Sequence, residues 1–413
     1  MKGYAALAVI GLAVRLAAFM IDMPFQGDVF TFQSWAVKLF EDGLSRFYYA
    51  DTFTDYPPMY MYFLWAAGAI RNALDLEFLS PQFNLLVFTP SIIADLITGL
   101  LIYRLCRCIF SDSDFGRSFL ISLAYLSNPA IIINSSVWGQ VDAIHTLLLF
   151  LALYAVSKKQ TLPVYLLYGA AVLTKPQSLI VAPVFLYSAF HYYKAHGYSL
   201  KAAAVMFGYA IITFLFMALL SLPFAPAFDL SPILRQYSDT LGSYPFASVN
   251  AYNFYALTGG NWHEITTFYF LLSMVAIVGV TLMCFWILHK HWSGSGIFFS
   301  SALLFIITFV FSVRMHERYL FPALLFLLIA AILRDNKSDK RLFLLYAAFS
   351  VTFFINCLDI LLQFNDIQLF NVRVPERTFR PINEAMAFIS FLHVTLAVYT
   401  LKIGRDIRRW TSF

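Results

Sequence analysis

A chain of 413 residues that is 60% hydrophobic and only 12% charged, with mean hydropathy +0.72, cannot dress a core of its size in polar surface, which excludes an ordinary soluble domain. Its net charge of +5 is dispersed between apolar stretches rather than gathered in a tract, which argues against a nucleic-acid-binding surface. The four cysteines (Cys106, Cys108, Cys284, Cys357) lie in or beside apolar segments, without the second pair or histidine cluster that zinc requires.

Apolar runs near 20 residues recur along the chain, the pattern of an all-α polytopic membrane protein. The first, about 4–24, lacks an Ala-x-Ala-like processing site and reads as a retained helix rather than a signal peptide. Next comes a long outer loop, 25–83. In it, Asp28 follows Pro24-Phe25-Gln26-Gly27, and Phe30, Trp35 and Leu39 with Lys38 and Glu41 predict an interfacial helix that holds Asp28 near the membrane surface. A carboxylate at the mouth of a helix bundle is placed to act as a base; the plain alternative is a solvated loop aspartate. Asp55-Tyr56-Pro57-Pro58 leads into the apolar stretch 57–74, where the prolines fix the chain direction and Asp55 either caps the helix or belongs to a site.

Further spans are predicted at about 84–106, 118–135, 143–157, 161–174, 177–193, 201–223, 265–288, 297–313, 319–333, 342–362 and 383–401, twelve in all. If 57–74 lies in or re-enters the outer interface, the inside loops collect Arg104, Arg107, Arg117, Lys158, Lys159, Lys194, Lys201, Lys290, Arg334, Lys337, Lys340, Arg341 and the terminal Lys402, Arg405, Arg408 and Arg409. That agrees with the positive-inside rule at every loop. The threading makes 1–413 a single membrane-embedded domain, with 25–83 and 224–264 as large extracytoplasmic loops and 363–382 as a basic outer loop. Asp95, inside the second span, needs a partner and is expected to orient helices.

The polar islands all fall at the outer ends. Trp138-Gly139-Gln140-Val141-Asp142 joins two spans, with Gly139 permitting a tight turn and His145 three residues beyond Asp142. Lys175, before Pro176-Gln177, is costly beside apolar spans unless it meets an anion such as a lipid phosphate; a snorkelling lysine is the competing reading. Arg314-Met315-His316-Glu317-Arg318-Tyr319 packs four ionisable side chains into five positions, more than interface anchoring needs. It is not His-Glu-x-x-His, and no serine-nucleophile elbow occurs. Arg373, Arg377 and Arg380 break the inside bias of positive charge and suggest anion recognition. Asp112-Ser113-Asp114 has the Asp-x-Asp form, but the threading puts it on the cytoplasmic side.

In the order and sidedness of Asp28, Asp55-Tyr56-Pro57-Pro58, Trp138-Gly139-Gln140-Val141-Asp142, Lys175-Pro176-Gln177 and His316-Glu317-Arg318-Tyr319, the chain resembles the polytopic membrane glycosyltransferases of the C superfamily (GT-C fold). Within them it most resembles bacterial mannosyltransferases related to the second mannosyltransferase of GPI-anchor assembly, and it is similar also to the lumenal glucosyltransferases of the N-glycan pathway. The resemblance implies transfer of one hexose, mannose favoured, from a polyprenyl-phosphate sugar to a glycolipid, polymer or protein acceptor, with inversion. It implies a bacterial plasma (inner) membrane protein with an extracytoplasmic active site. Asp28 takes the role of catalytic base. Lys175, His316, Arg318, Arg373 and Arg377 are expected on the donor phosphate, and Asp55, Tyr56, Trp138, Gln140, Asp142 and Glu317 on sugar or acceptor. Family members often carry a second acid beside the first-loop aspartate; here Asp28 is followed by Val29-Phe30, and no metal and no cofactor beyond the lipid-linked donor is expected. A lipid or sugar transporter, or flippase, using the same charges as gates is the alternative, although neither internal repeats nor helix-interior breaks are evident; a non-catalytic scaffold leaves the 314–318 cluster unexplained.

Overall fold

Proline and capping residues cut the apolar sequence into helices. The computed structural model describes residues 2–49, 53–111, 114–242, 244–334, 339–369 and 384–406; Arg373, Arg377, Arg380, Asp112 and Ser113 lie outside the described residues. The first predicted span is α1 (Lys2–Phe19), with Val9, Leu12 and Leu16 exposed, as lipid-facing side chains are in a membrane helix. The first outer loop is largely helical: α2 (Gln26–Glu41), a 3-10 turn (Leu44–Tyr49) and α3 (Pro58–Ala73), with α2 and α3 packed together. Ser80 caps α4 (Pro81–Ile109) by accepting the Phe83 N–H, with Pro81 pre-set at the first position.

α5 (Phe115–Leu126) stops short of Pro129, whose ring disfavours helical backbone at Asn128. The chain bends there by 40° and resumes as α6 (Pro129–Ile132), capped by Asn128, and a π-helical turn, Ile133–Trp138. There follow α7 (Asp142–Ser157), α8 (Leu162–Thr174), a 3-10 turn (Pro176–Val181), α9 (Ala182–Ala195) and α10 (Leu200–Ser221). The 224–264 loop holds α11 (Ser231–Gly242), β1 (Ser248–Val249) and α12 (Phe254–Leu257). After it come α13 (Thr267–Lys290), α14 (Gly294–Phe311), β2 (Met315–His316), α15 (Phe321–Arg334), α16 (Arg341–Leu369) and α17 (Glu384–Arg405). β1 and β2 pair in parallel, Ser248 beside Met315 and Val249 beside His316, and tie the second outer loop to the 314–318 cluster.

Each predicted span coincides with a helical segment. Seven described helices (α1, α4, α10, α13, α14, α16 and α17) are long and apolar enough to cross a bilayer, and the bent α5–α6 pair makes an eighth. The chain is therefore an all-α polytopic membrane protein, with seven or eight crossings supported by length. The other four predicted spans, 143–157, 161–174, 177–193 and 319–333, correspond to shorter segments. α7, α8 and α15 have 16, 13 and 14 residues, about 20–24 Å against a hydrocarbon core of about 30 Å. α16 continues to Leu369, so the basic loop starts later than position 363.

The centre is α14 against α15, buried from Ser295 to Val310 and from Phe321 to Ile332, which is why both are apolar on every face. α1 is fastened to α4 by the buried pair Arg15 Nη2–Asp95 Oδ2, 3.2 Å. Asp95 also accepts from Ser135 Oγ (2.6 Å) and Tyr125 (3.3 Å), while Arg15 Nη1 donates to the carbonyls of Gly11 and Leu126. Asp95 thus has its partner and orients α1, α4, α5 and the π-helical turn.

Candidate active site

Asp28 is the third residue of α2, where the helix dipole favours a negative charge. Its Oδ2 accepts two hydrogen bonds, from Trp138 Nε1 at 2.8 Å and from Gln140 Nε2 at 2.5 Å. Both donors come from the π-helical turn and the residues after it. The wide turn ends at Gly139, φ +82°, and closes with the Gln140 N–H on the Asn134 carbonyl at 2.9 Å. A Cβ at 139 would stand 2.0 Å from the Phe88 ring, so close packing as well as the left-handed backbone requires glycine. Ser91 Oγ holds the Gln140 carbonyl at 2.7 Å. π-Helical turns recur at functional sites because they swing side chains out of helical register. Here the turn aims two N–H donors at one carboxylate oxygen; among the described residues no donor is bonded to Oδ1.

Trp138 and Gln140, expected against sugar or acceptor, are 1% and 0% exposed, and the structure sets them on Asp28. Tyr56 is buried with its hydroxyl 3.4 Å from Gln140 Oε1, and its carbonyl is held by Tyr48 at 2.8 Å. The N-cap of α3 is Pro57, with no side-chain cap, so Asp55 does not cap that helix. Burial pushes the Asp55 carboxyl up to about 6, with Asp28 adding to the rise and Arg318 and Lys175 opposing it.

Lys175 is held non-helical (φ −155°, ψ +128°) at the end of α8 because Pro176 follows it. It does not snorkel. It is 2% exposed, its Nζ rests on Asp142 Oδ1 at 2.5 Å, and it lies over the rings of Tyr319 and Tyr56 at 5.5 and 5.8 Å. Asp142 opens α7, with His145 Nε2 3.5 Å from Oδ1 and Asn134 Nδ2 3.2 Å from Oδ2.

Buried His316 sits edge-on to Tyr244, ring centroids 4.7 Å apart, and against Tyr319. Burial holds its imidazole well below the ordinary range, and Arg318 and Lys175 add to the effect, so it is neutral at pH 7. Glu317 is buried and bonded to Arg318 Nη1 at 2.7 Å; burial raises its carboxyl, and Arg318 opposes the rise. Burial works against the Arg318 charge, but Asp28 and Glu317 outweigh it and hold the guanidinium well above its usual value. Arg318 Nε is buried and has no acceptor among the described residues.

The structure thus gathers Asp28, Asp55, Tyr56, Trp138, Gln140, Asp142, Lys175, His316, Glu317 and Arg318 into one site at one end of the bundle, linked by contacts or by electrostatic reach. Arg373 and Arg377 are not among the described residues. Tyr244, Tyr319 and Asn134, which the motifs did not single out as site residues, complete the walls. Among the described residues no three His, Cys, Asp or Glu side chains converge to hold a metal ion. The arrangement offers an oriented carboxylate with one open oxygen, a guanidinium and a lysine each held by a buried acid, and an aromatic wall, sunk in the bundle.

No family model matches this chain, and no curated protein does. Among solved structures it is similar to an oligosaccharyltransferase from Archaeoglobus fulgidus in the apo form, at 13% identity and TM-score 0.45 over 98% of this chain and 56% of that one. It is similar also to ArnT from Cupriavidus metallidurans bound to undecaprenyl phosphate, at 15% identity and TM-score 0.45 over 97% and 79% of the two chains. The chain therefore spans little more than half the length of the oligosaccharyltransferase. Likeness this distant assigns no activity.

Proposed function

We propose that this protein is a membrane glycosyltransferase that moves one hexose from a polyprenyl-phosphate sugar to an acceptor hydroxyl on the extracytoplasmic face. The observation that carries the reading is Asp28. Two N–H donors fix one of its oxygens, and the other is left to receive a proton, with Arg318 within electrostatic reach. The acceptor oxygen attacks the anomeric carbon as its proton passes to Asp28 Oδ1. The bond from that carbon to the phosphate oxygen breaks, its electron pair leaves with polyprenyl phosphate, and the configuration inverts. The departing phosphate gains negative charge, which Lys175 and Arg318 stabilise, Arg318 through the buried Nε that has no other acceptor among the described residues. Asp142 and Glu317 orient these two cations, and neutral His316 offers a hydrogen bond without adding charge. Asp55 and Tyr56 lie on the acceptor side. Mannose is favoured by the sequence resemblance alone.

Purified protein in liposomes with polyprenyl-phosphate mannose and a membrane-glycolipid extract should release polyprenyl phosphate and form a mannosylated product. Asp28→Asn, which keeps the shape and the two donor contacts, should abolish both while leaving thermal unfolding within a few degrees of wild type. Release at an unchanged rate in that variant removes Asp28 from the base role. Lipid movement across the bilayer without sugar transfer replaces the reading with a flippase.

A further inference from the structure

The three fully buried acids among the described residues each have a cation: Asp95 has Arg15, Asp142 has Lys175 and Glu317 has Arg318. Asp359, in the last turns of the membrane helix α16, has none among the described residues. A carboxylate in a membrane helix without a counter-ion is expensive and marks a site by default. Asp359 is half-buried and aimed. Its Oδ2 accepts from the Tyr252 hydroxyl and from Gln363 Nε2, the latter at 2.7 Å, and among the described residues no donor is bonded to Oδ1. This is the geometry of Asp28 again, with two donors on one oxygen and the second oxygen open.

Tyr252 is itself fixed. Its N–H donates to Asn356 Oδ1 at 3.0 Å, its carbonyl faces His393 Nδ1 at 2.6 Å, and Asn356 Nδ2 binds the neighbouring Asn250 carbonyl at 2.9 Å. The residue after Gln363 is Phe364, 43% exposed, edge-on to Phe25 at 4.5 Å. Phe25 stacks on Trp138 at 5.4 Å, and Trp138 holds Asp28. Phe364 is thus connected to the carboxylate of Asp28 through only two intervening rings.

We propose that Asp359 and Phe364 form the acceptor subsite, and that the acceptor they take is a sugar residue. A sugar hydroxyl next to the reacting one donates to the open carboxylate oxygen, while the C–H face of the ring packs on exposed phenyl surface. A lipid alcohol or a serine or threonine side chain has a single hydroxyl, which is the one that reacts at Asp28, and so leaves the open Asp359 oxygen unused. The inference rests on the transferase reading, because it assigns the hydroxyl that Asp28 deprotonates to a glycoside.

The test offers octyl mannoside, octanol and a serine/threonine peptide as acceptors at saturating polyprenyl-phosphate mannose, with saturation-transfer NMR of octyl mannoside on the resting protein in parallel. The expected result is transfer to the mannoside only. Asp359→Asn, whose amide oxygen still accepts from Tyr252, should raise the acceptor KM at least tenfold, change kcat less than threefold and leave the donor KM in place; Phe364→Ala should act in the same direction. Octanol or peptide serving equally well overturns the inference, as does Asp359→Asn lowering kcat and thermal stability together with no selective effect on acceptor KM, the mark of a strap for the Tyr252 loop. If the wild type transfers nothing, the NMR arm decides separately: octyl mannoside signals lost in Asp359→Asn keep the sugar site while the transferase reading fails, and signals unchanged by that substitution sink the site.

Discussion

The buried Arg15–Asp95 pair gives the sharpest test of what holds the bundle together. Both side chains are 0% exposed, and neither has water to fall back on. Arg15→Met leaves Asp95 with only the Ser135 and Tyr125 hydroxyls; Asp95→Leu leaves a guanidinium on two backbone carbonyls. Removing one member of a buried pair costs about 3–5 kcal/mol, because the other charge stays buried without its counter-ion, whereas replacing both with apolar groups of similar volume is often neutral. The double variant Arg15→Met/Asp95→Leu still deprives the Tyr125 hydroxyl of its acceptor, about 1–2 kcal/mol, whereas Ser135 Oγ keeps the Ile131 carbonyl at 3.2 Å, so it should sit between wild type and either single variant. Reversible SDS unfolding in mixed micelles reads the apparent free energies, and the three variants close a cycle. A double variant as unstable as the two singles summed would show that the charges do not interact, and singles within about 1 kcal/mol of wild type would refute the burial argument.

Three further outcomes follow from the site. Asp55 binds its proton more tightly folded than unfolded, so its charge opposes folding and stability falls as pH rises from about 4 to about 6, by an amount on the order of 2–3 kcal/mol; Asp55→Asn should flatten that stretch of a pH–unfolding curve and shift any acid limb of the transfer rate near pH 6. Gly139→Ala combines a left-handed backbone, about 1–2 kcal/mol, with overpacking on Phe88, about 1–3 kcal/mol, and should lower unfolding free energy by about 2–5 kcal/mol; an unchanged value would mean that the turn is looser than its contacts imply. Lys175→Gln should lower kcat for transfer by about 10²–10³-fold and weaken inhibition by added polyprenyl phosphate, both measured in the liposome assay; a change in acceptor KM alone would move Lys175 off the donor phosphate.

Much of this was legible because polar residues are conspicuous in an apolar chain. Asp28, Asp55, Asp142, Lys175 and the 314–318 cluster each interrupt or end an apolar run, and alternating helices bring such ends together without detailed knowledge of packing. What the sequence hid were the pairings. Arg15 is a lone cation in the first span and Asp95 a lone acid in the second, so each announces a need, yet only packing shows that they answer one another. Asp359 gave the same signal inside the predicted 342–362 span. The tasks of Trp138 and Gln140 depend on the π-helical turn, which adds a residue to the helical repeat and redirects both side chains; no local propensity announces that. The two-residue ladder between β1 and β2 is too short to leave an alternating pattern.

The short helices have a common cause. α7 begins at Asp142, α8 ends one residue before Lys175, and α15 starts three residues after Arg318. Each lacks about 4–7 residues of the roughly 20 that span a bilayer, or about 6–10 Å of helix. Backbone that leaves the helix at membrane depth is tolerated only where protein buries it or where it lines a polar cavity. The ends of these helices beside Asp142, Lys175 and Arg318 are buried within the protein in this way. On the proposed transferase reading, the ionic groups recessed at the ends of these short helices line the pocket that the donor phosphate enters.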